Sequence, residues 1–263
     1  MSCLICKHPT QYFFHKDFNK YGLGRVEYHK CHNCGLVHSE THRLLSENAW
    51  LELNHTYHDG YQGRDMNTDD PRWLERLQSQ AHVLADAVDL GLIAKDGDWL
   101  DYACGDGKLT EFLKSKKNLL KYDKYMNKSD YLDASELVSG RFDFLITTSV
   151  LEHLLQRKHF DAIHTLISQQ GVMGLHTLVC EQVPCDPNWF YLLPVHCVFH
   201  TNKSMSILLE QWGYIESIYN VEARLWLLFK PNTLNIEHVV EHANKRENSP
   251  SYIYKKGFVD YWK

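Results

Sequence analysis

Between Trp99 and Ala103 the chain carries a short apolar run of strand length, and its one carboxylate, Asp101, falls near the end. Cys104, Gly105, Asp106 and Gly107 then supply the residues of a tight turn, and Leu109, Phe112 and Leu113 resume at helical spacing. A strand that enters a glycine turn and leaves as a helix predicts the opening unit of a doubly wound α/β fold. Such folds bind cofactors at the carboxyl end of that strand.

Patterning on either side extends this reading. Leu44 to Leu53 predicts a short helix. Asp69, Asp70 and Pro71 carry the signature of a helix start, and Gly91 that of its end. Asn118 to Tyr122 reads as a second strand, and a third is expected within Asp130 to Leu137. The run from Phe142 to Thr148 reads as a buried strand that turns through Ser149 to Leu154 into a helix. A helix over Phe160 to Ile167, a strand over Gly171 to Cys180 and a helix over Asn202 to Trp212 follow. Tyr214 to Tyr219 and Val221 to Phe229 predict an antiparallel pair at the sheet edge, and Asn235 to Lys245 an amphipathic helix in the tail.

A length of 263 residues suits one α/β domain with a small appendage. Formal net charge is −5, which argues against nucleic acid as the default partner. No apolar run approaches the roughly 20 residues that span a bilayer. The N-terminus lacks the basic-then-apolar layout of a signal peptide. The eight cysteines are therefore expected to be thiols or metal ligands in a cytoplasmic protein.

Four of those cysteines form two C-x-x-C pairs, Cys3 with Cys6 and Cys31 with Cys34. Each pair can present two thiolates on one side of a knuckle, and two knuckles close a tetrahedral four-sulfur site suited to Zn²⁺. The segment between them reads as a hairpin turning near Tyr21 to Gly24, so residues 1–43 are expected to be a zinc ribbon. A redox dithiol is the competing reading, and His8, His29, His32 and His38 are near enough in sequence to stand in for a sulfur. A closed four-thiolate site leaves no open position, so its expected role is structural.

Asp123 ends the second strand roughly 20 residues after the glycine turn, where doubly wound folds hold a ribose through its hydroxyls. Tyr125, just beyond, is placed to lie against an adenine. The third glycine of a dinucleotide fingerprint is replaced by Thr110. The string from Asp101 to Gly107, D-x-x-C-G-x-G, instead resembles motif I of class I S-adenosylmethionine (SAM)-dependent methyltransferases, and the Asp101-to-Asp123 spacing matches as well. The run from Phe142 through Glu152 and His153 resembles the fourth-strand segment of many small-molecule methyltransferases. His196 to Thr201 resembles the H-x-x-[FH]-[FHY]-[ST] element of SAM enzymes acting on sugars and other small metabolites.

The resemblance implies an α/β, class I methyltransferase sheet, doubly wound and mostly parallel with an antiparallel edge strand, plus the N-terminal zinc ribbon. It implies that Asp101, Gly105, Gly107, Asp123, Tyr125 and Thr148 contact SAM, and that His196, with His153 as second choice, removes a proton from the acceptor. In related sugar C-methyltransferases a tyrosine and a glutamate precede the histidine, where this chain has Leu193 and Val195. Residues 44–70 read either as a solvated linker or as a lid in which Tyr61 and Arg64 meet the cofactor, Arg64 at its carboxylate. The expected organisation is completed by a SAM-binding domain over 71–230 and a tail over 231–263 that docks or mediates oligomerisation. The function implied is methyl transfer to a small molecule, a sugar or capsule- or envelope-related metabolite. The competing readings are an RNA methyltransferase whose ribbon reads RNA, and a non-catalytic SAM-binding scaffold.

Overall fold

Strands β1 (Thr10–Phe18) and β2 (Gly24–Cys31) form the expected hairpin, followed by β3 (Val37–Ser39) and the single-turn helix α1 (Glu40–Arg43). A computed structural model describes residues 1–59, 72–126, 128–246 and 252–261. Helix α2 (Glu47–His58) is capped by Ser46 and runs five residues past its expected end. Helix α3 (Trp73–Asp89) buries Leu77, Gln80, Ala81, Leu84 and Ala87. It stops as Gly91 promised: at φ +72°, Gly91 donates to Val88 and Leu92 donates to Ala87. Its expected start at Asp69, Asp70 and Pro71 lies outside the described residues.

The main sheet begins with β4 (Trp99–Tyr102), α4 (Lys108–Leu113) and β5 (Leu120–Tyr122), then returns to β6 (Phe142–Thr148), α5 (Arg157–Thr165) and β7 (Ile167–His176). After the short β8 (Val179–Cys180), a long excursion leads to β9 (Val198–Thr201) and α6 (Asn202–Gln211). Strands β10 (Glu216–Asn220) and β11 (Leu225–Phe229), helix α7 (Ile236–Ala243) and β12 (Tyr252–Lys256) complete the chain.

Seven strands lie in the order β12-β10-β11-β7-β6-β4-β5. β5, β4, β6 and β7 are parallel, whereas β11 pairs antiparallel with β7 and with β10. Helices α3, α4 and α7 cover one face, and α5, α6 and the cysteine knuckles contribute to the core on the other. This is the doubly wound sheet with an antiparallel edge. From β4 the chain first winds outward to β5 and then returns to β6 on the other side, so a topological switch point opens at the carboxyl ends of these strands. The tail does not stand apart: β12 pairs along β10, and Trp226 donates its indole N–H to Val259.

Besides the α2 overrun and the expected Gly171–Cys180 strand, which breaks after His176 into β7 and the separately paired β8, two elements differ from expectation. The third strand is absent among the described residues. Asp133 and Glu136 form a capping box that winds Ala134–Glu136 into a single 3₁₀ turn, leaving one backbone bond, Leu132 to Lys121, on the β5 edge. The helix expected after Ser149 is likewise one 3₁₀ turn, Leu151–His153. The Glu152 carbonyl that would continue it is taken instead by the Cys197 N–H at 2.8 Å.

Gly174 in β7 permits close sheet packing. A Cβ there would sit 2.8 Å from Phe144 Cζ and 3.1 Å from Ile146 Cγ1, both on fully buried side chains. Gly174→Ala is expected to cost about 1–3 kcal/mol by overpacking, read as a lowered urea midpoint. An unchanged midpoint contradicts this packing.

The ribbon is joined to the main domain through a second sheet, ordered β1-β2-β3-β9-β8. Val37 and His38 pair antiparallel with Phe199 and Val198. Backbone pairing therefore runs from the hairpin into the excursion that carries His196.

Candidate active site

A cavity of about 630 Å³ opens at the switch point. Its floor is the turn after β4. Ala103 (φ +57°) and Gly105 (φ +53°) bend the backbone there, and a Cβ on Gly105 would meet nothing within 4 Å. Gly107 (φ +79°) caps α4 and is buried behind this surface, where a Cβ would meet Lys121 Cδ at 3.0 Å. Backbone conformation and packing explain this glycine, which is not among the cavity-lining residues.

Asp123 joins the turn to the end of β5. Its Oδ2 accepts from the Gly105 N–H at 2.9 Å, and its Oδ1 accepts from the Tyr125 and Met126 N–H groups at 2.8 and 3.0 Å. At two lone pairs per carboxylate oxygen, Oδ1 is filled by its two donors and Oδ2 can still accept one hydroxyl on the cavity side. Tyr125 and Thr148 line the same cavity. Asp101 is 1 % exposed and accepts from Thr110 Oγ1 at 3.2 Å. Burial pushes its carboxyl up to about 7. Tyr61 and Arg64 lie outside the described residues.

The opposite wall is histidine-rich. The turn after β6 presents Glu152 and His153, and the excursion before β9 presents His196, with their donor atoms within 4.8 Å of one another. The His153 and His196 rings meet edge to face at 4.9 Å. His196 Nδ1 lies 2.9 Å from the Tyr191 carbonyl. A carbonyl only accepts, so Nδ1 carries the proton and Nε2 the lone pair that a base requires. Burial holds His153 well below its ordinary pKa, with positive charge on His196 or His58 acting in the same direction, so it is neutral near pH 7.

Sequence reasoning left Tyr191 and His58 out of the site, and placed Glu152 only as far as the substrate side, beside His153. Glu152 is 1 % exposed and accepts from Thr177 Oγ1 at 2.9 Å and from the Tyr191 hydroxyl. Burial raises its carboxyl, and those two donors pull against the rise. Both oxygens are engaged by hydroxyls, an arrangement that suits a proton network better than metal ligation. Tyr191 bonds Glu152 through its hydroxyl and His196 through its carbonyl. A tyrosine and a glutamate thus stand beside His196 although Leu193 and Val195 occupy the positions just before it. His58, from α2, packs against His153 at 5.5 Å between ring centroids. Nothing in the sequence pointed to it, since contact across nearly a hundred residues leaves no local spacing signal.

The cysteines converge as the knuckle spacing requires. Cys3 Sγ lies 3.6 Å from Cys34 Sγ, and Cys6 Sγ lies 3.4 Å from Cys31 Sγ. All four sulfurs fall within 4.8 Å of one another. Tetrahedral Zn–S bonds of about 2.3 Å would set sulfurs roughly 3.8 Å apart, so the group fits a zinc ion. Each knuckle ends on a left-handed residue, Lys7 (φ +63°) and Gly35 (φ +75°).

The ribbon also holds the His196 excursion. The Ser39 N–H donates to Cys197 O at 2.8 Å, His42 Nε2 to Pro194 O at 2.8 Å, and Lys16 Nζ to Leu192 O at 2.9 Å. Thr201 Oγ1 donates back to the Cys34 carbonyl.

No protein-family model matches this chain, and no curated protein does either. Solved structures that overlap it include SAM-dependent methyltransferases. One from Thermotoga maritima, described as a possible histamine N-methyltransferase, shares 10% identity at a TM-score of 0.40, covering 69% of this chain and 100% of its own. Magnesium protoporphyrin IX methyltransferase from Synechocystis, with S-adenosylhomocysteine bound, shares 12% identity at 0.43, covering 68% and 94%. Phosphoethanolamine N-methyltransferase 1 of Haemonchus contortus shares 14% identity at 0.44, covering 74% and 53%. The strand order given above carries the fold on its own.

Proposed function

We propose that this chain is a SAM-dependent methyltransferase acting on a small-molecule acceptor, with His196 as general base. The observation that supports it is the meeting, in one cavity at the switch point, of the Gly105–Asp123 turn with the His153–His196 pair. Asp123 would hold the ribose by accepting a hydroxyl at Oδ2 and Tyr125 would lie against the adenine, with Thr148 and the Asp101 region bounding the methionine part. When bound, SAM supplies a sulfonium methyl that is electrophilic without help from the protein. The chain must therefore align the acceptor, exclude water and accept a proton. His196 Nε2 takes that proton. Tyr191 fixes the ring through its carbonyl, and Glu152, whose carboxyl lies within 4.8 Å of the His196 ring, faces the resulting imidazolium directly. The acceptor class, a sugar or capsule- or envelope-related metabolite, rests on the likeness of His196 to Thr201 to enzymes of that kind.

The cysteine site, as proposed here, holds structural Zn²⁺. Its four sulfurs leave no ligand position for chemistry, so its work is to fix the ribbon against β9. No helix among the described residues is long and apolar enough to cross a membrane.

The direct test is transfer of labelled methyl from SAM into a metabolite extract, together with calorimetric titration of SAM. Absence of both heat and transfer refutes the reading. Asp123→Ala is expected to weaken SAM binding about 10- to 100-fold, the worth of a charge-assisted hydrogen bond of roughly 1.5–3 kcal/mol. Unaltered affinity in the same titration removes Asp123 from the ribose site.

A further inference from the structure

We propose that Tyr131 is a positioning residue for the cofactor, pinning the Gly105 turn in the shape that receives it. This rests on reading that turn as the seat of SAM. Tyr131 is not among the cavity-lining residues, so it acts through Gly105, which is. Its hydroxyl donates to the Gly105 carbonyl at 2.6 Å. On the other side of the same Cα, the Gly105 N–H donates to Asp123 Oδ2 at 2.9 Å. The two peptide planes that meet at Gly105 are therefore each held by a side chain.

Glycine is the residue that most needs such pins, since without a Cβ its backbone visits both signs of φ. Gly105 stands at φ +53°, and a Cβ there would meet nothing within 4 Å, so packing does not hold it. Hydrogen bonds do. A turn that samples other shapes binds its ligand more weakly, in proportion to the time spent in them. Asp123 has two tasks, holding the turn and accepting a ribose hydroxyl, whereas Tyr131 has only the first.

Tyr131 is itself fixed by the segment in which a third strand is expected. Its N–H donates to the Lys128 carbonyl at 3.0 Å, and Leu132, the next residue, donates to the Lys121 carbonyl of β5 at 2.7 Å. Lys121 Nζ and Lys128 Nζ stand over the half-buried ring, 4.9 and 5.5 Å from its centroid. Lys121 also pairs with Asp130, and Lys128 Nζ donates to the carbonyl of Asp106, the residue after Gly105, at 3.3 Å. Burial raises the Tyr131 hydroxyl above its ordinary pKa, so it keeps the proton it donates. The hydroxyl also backs the end of the turn, where a Cβ on Gly107 would lie 3.4 Å from it. What the chain gives up as a strand beside β5 it uses as a brace behind the glycine turn.

The test titrates S-adenosylhomocysteine by calorimetry into the parent, into Tyr131→Phe and, as a control, into Tyr254→Phe, whose lost hydroxyl donates to Glu216 at 2.7 Å on the sheet edge. Tyr131→Phe should raise the dissociation constant about 3- to 10-fold, the worth of one neutral hydrogen bond, and Tyr254→Phe should leave it within about twofold. In labelled-methyl transfer the change should fall on the KM for SAM rather than on turnover at saturating SAM. A merely structural phenol would lower the melting temperature without that split. Amide exchange by NMR should quicken in unliganded Tyr131→Phe at Gly105 and Gly107, whose N–H groups close the turn onto Asp123 and the Cys104 carbonyl. An affinity in Tyr131→Phe within about twofold of the parent, or an equal loss in Tyr254→Phe, overturns the pin. Failure of S-adenosylhomocysteine to bind the parent counts against the methyltransferase reading instead, and unchanged amide exchange in Tyr131→Phe then overturns the pin on its own.

Discussion

His196→Ala is expected to lower methyl transfer by about 10² to 10⁴-fold, the usual contribution of a positioned general base. SAM affinity should stay within about twofold of the parent. The split follows from geometry: His196 stands on the excursion before β9, whereas the proposed cofactor contacts stand on β4, β5 and β6. Removing the imidazole deletes the proposed proton acceptor and leaves the Gly105–Asp123 turn intact. Tyr191→Phe is the companion measurement. It keeps the carbonyl that fixes His196 but removes the hydroxyl bonded to Glu152, so turnover should fall less than in His196→Ala. An active His196→Ala enzyme, or one that loses SAM affinity in the same proportion, removes this residue from the reaction.

The other large effect concerns the four cysteines. Cys34→Ser is expected to abolish stoichiometric zinc, to lower the melting temperature by about 10 °C or more, and to abolish methyl transfer. A structural zinc site contributes its binding free energy to folding. Losing even about 4 kcal/mol of it would move the melting point of a chain this size by roughly 8–16 °C. Activity should fall too, because the ribbon holds the Pro194 and Cys197 carbonyls on either side of His196. Metal analysis by emission spectroscopy, scanning calorimetry and the transfer assay read the three outcomes. A variant that melts normally, or melts early yet retains full turnover, contradicts the coupling of ribbon to active site.

The strand–turn–helix at Trp99 to Leu113, the strand ending at Asp123 and the cysteine knuckles were legible because each is local. Glycine placement, apolar runs and fixed spacing act within a few residues of one another. The elements that went astray were decided from a distance. Asp130 to Leu137 lost its strand to a capping box between Asp133 and Glu136. The helix after Ser149 was cut short because Cys197, far along the chain, occupies the Glu152 carbonyl. The histidine wall was half visible: the sequence marks His153 and His196 individually. Their meeting with His58, Glu152 and Tyr191 depends on how three segments pack, and no periodicity records that.

Continuity of the β1-β2-β3-β9-β8 sheet gives the first 43 residues a role beyond that of a detachable ornament. A polypeptide beginning at residue 44 would leave β9 with a raw margin and two carbonyls beside the reaction chamber facing solvent. Losing that segment amounts to knocking out one side of the chamber, so swapping ribbons between proteins would alter catalysis rather than merely exchange handles.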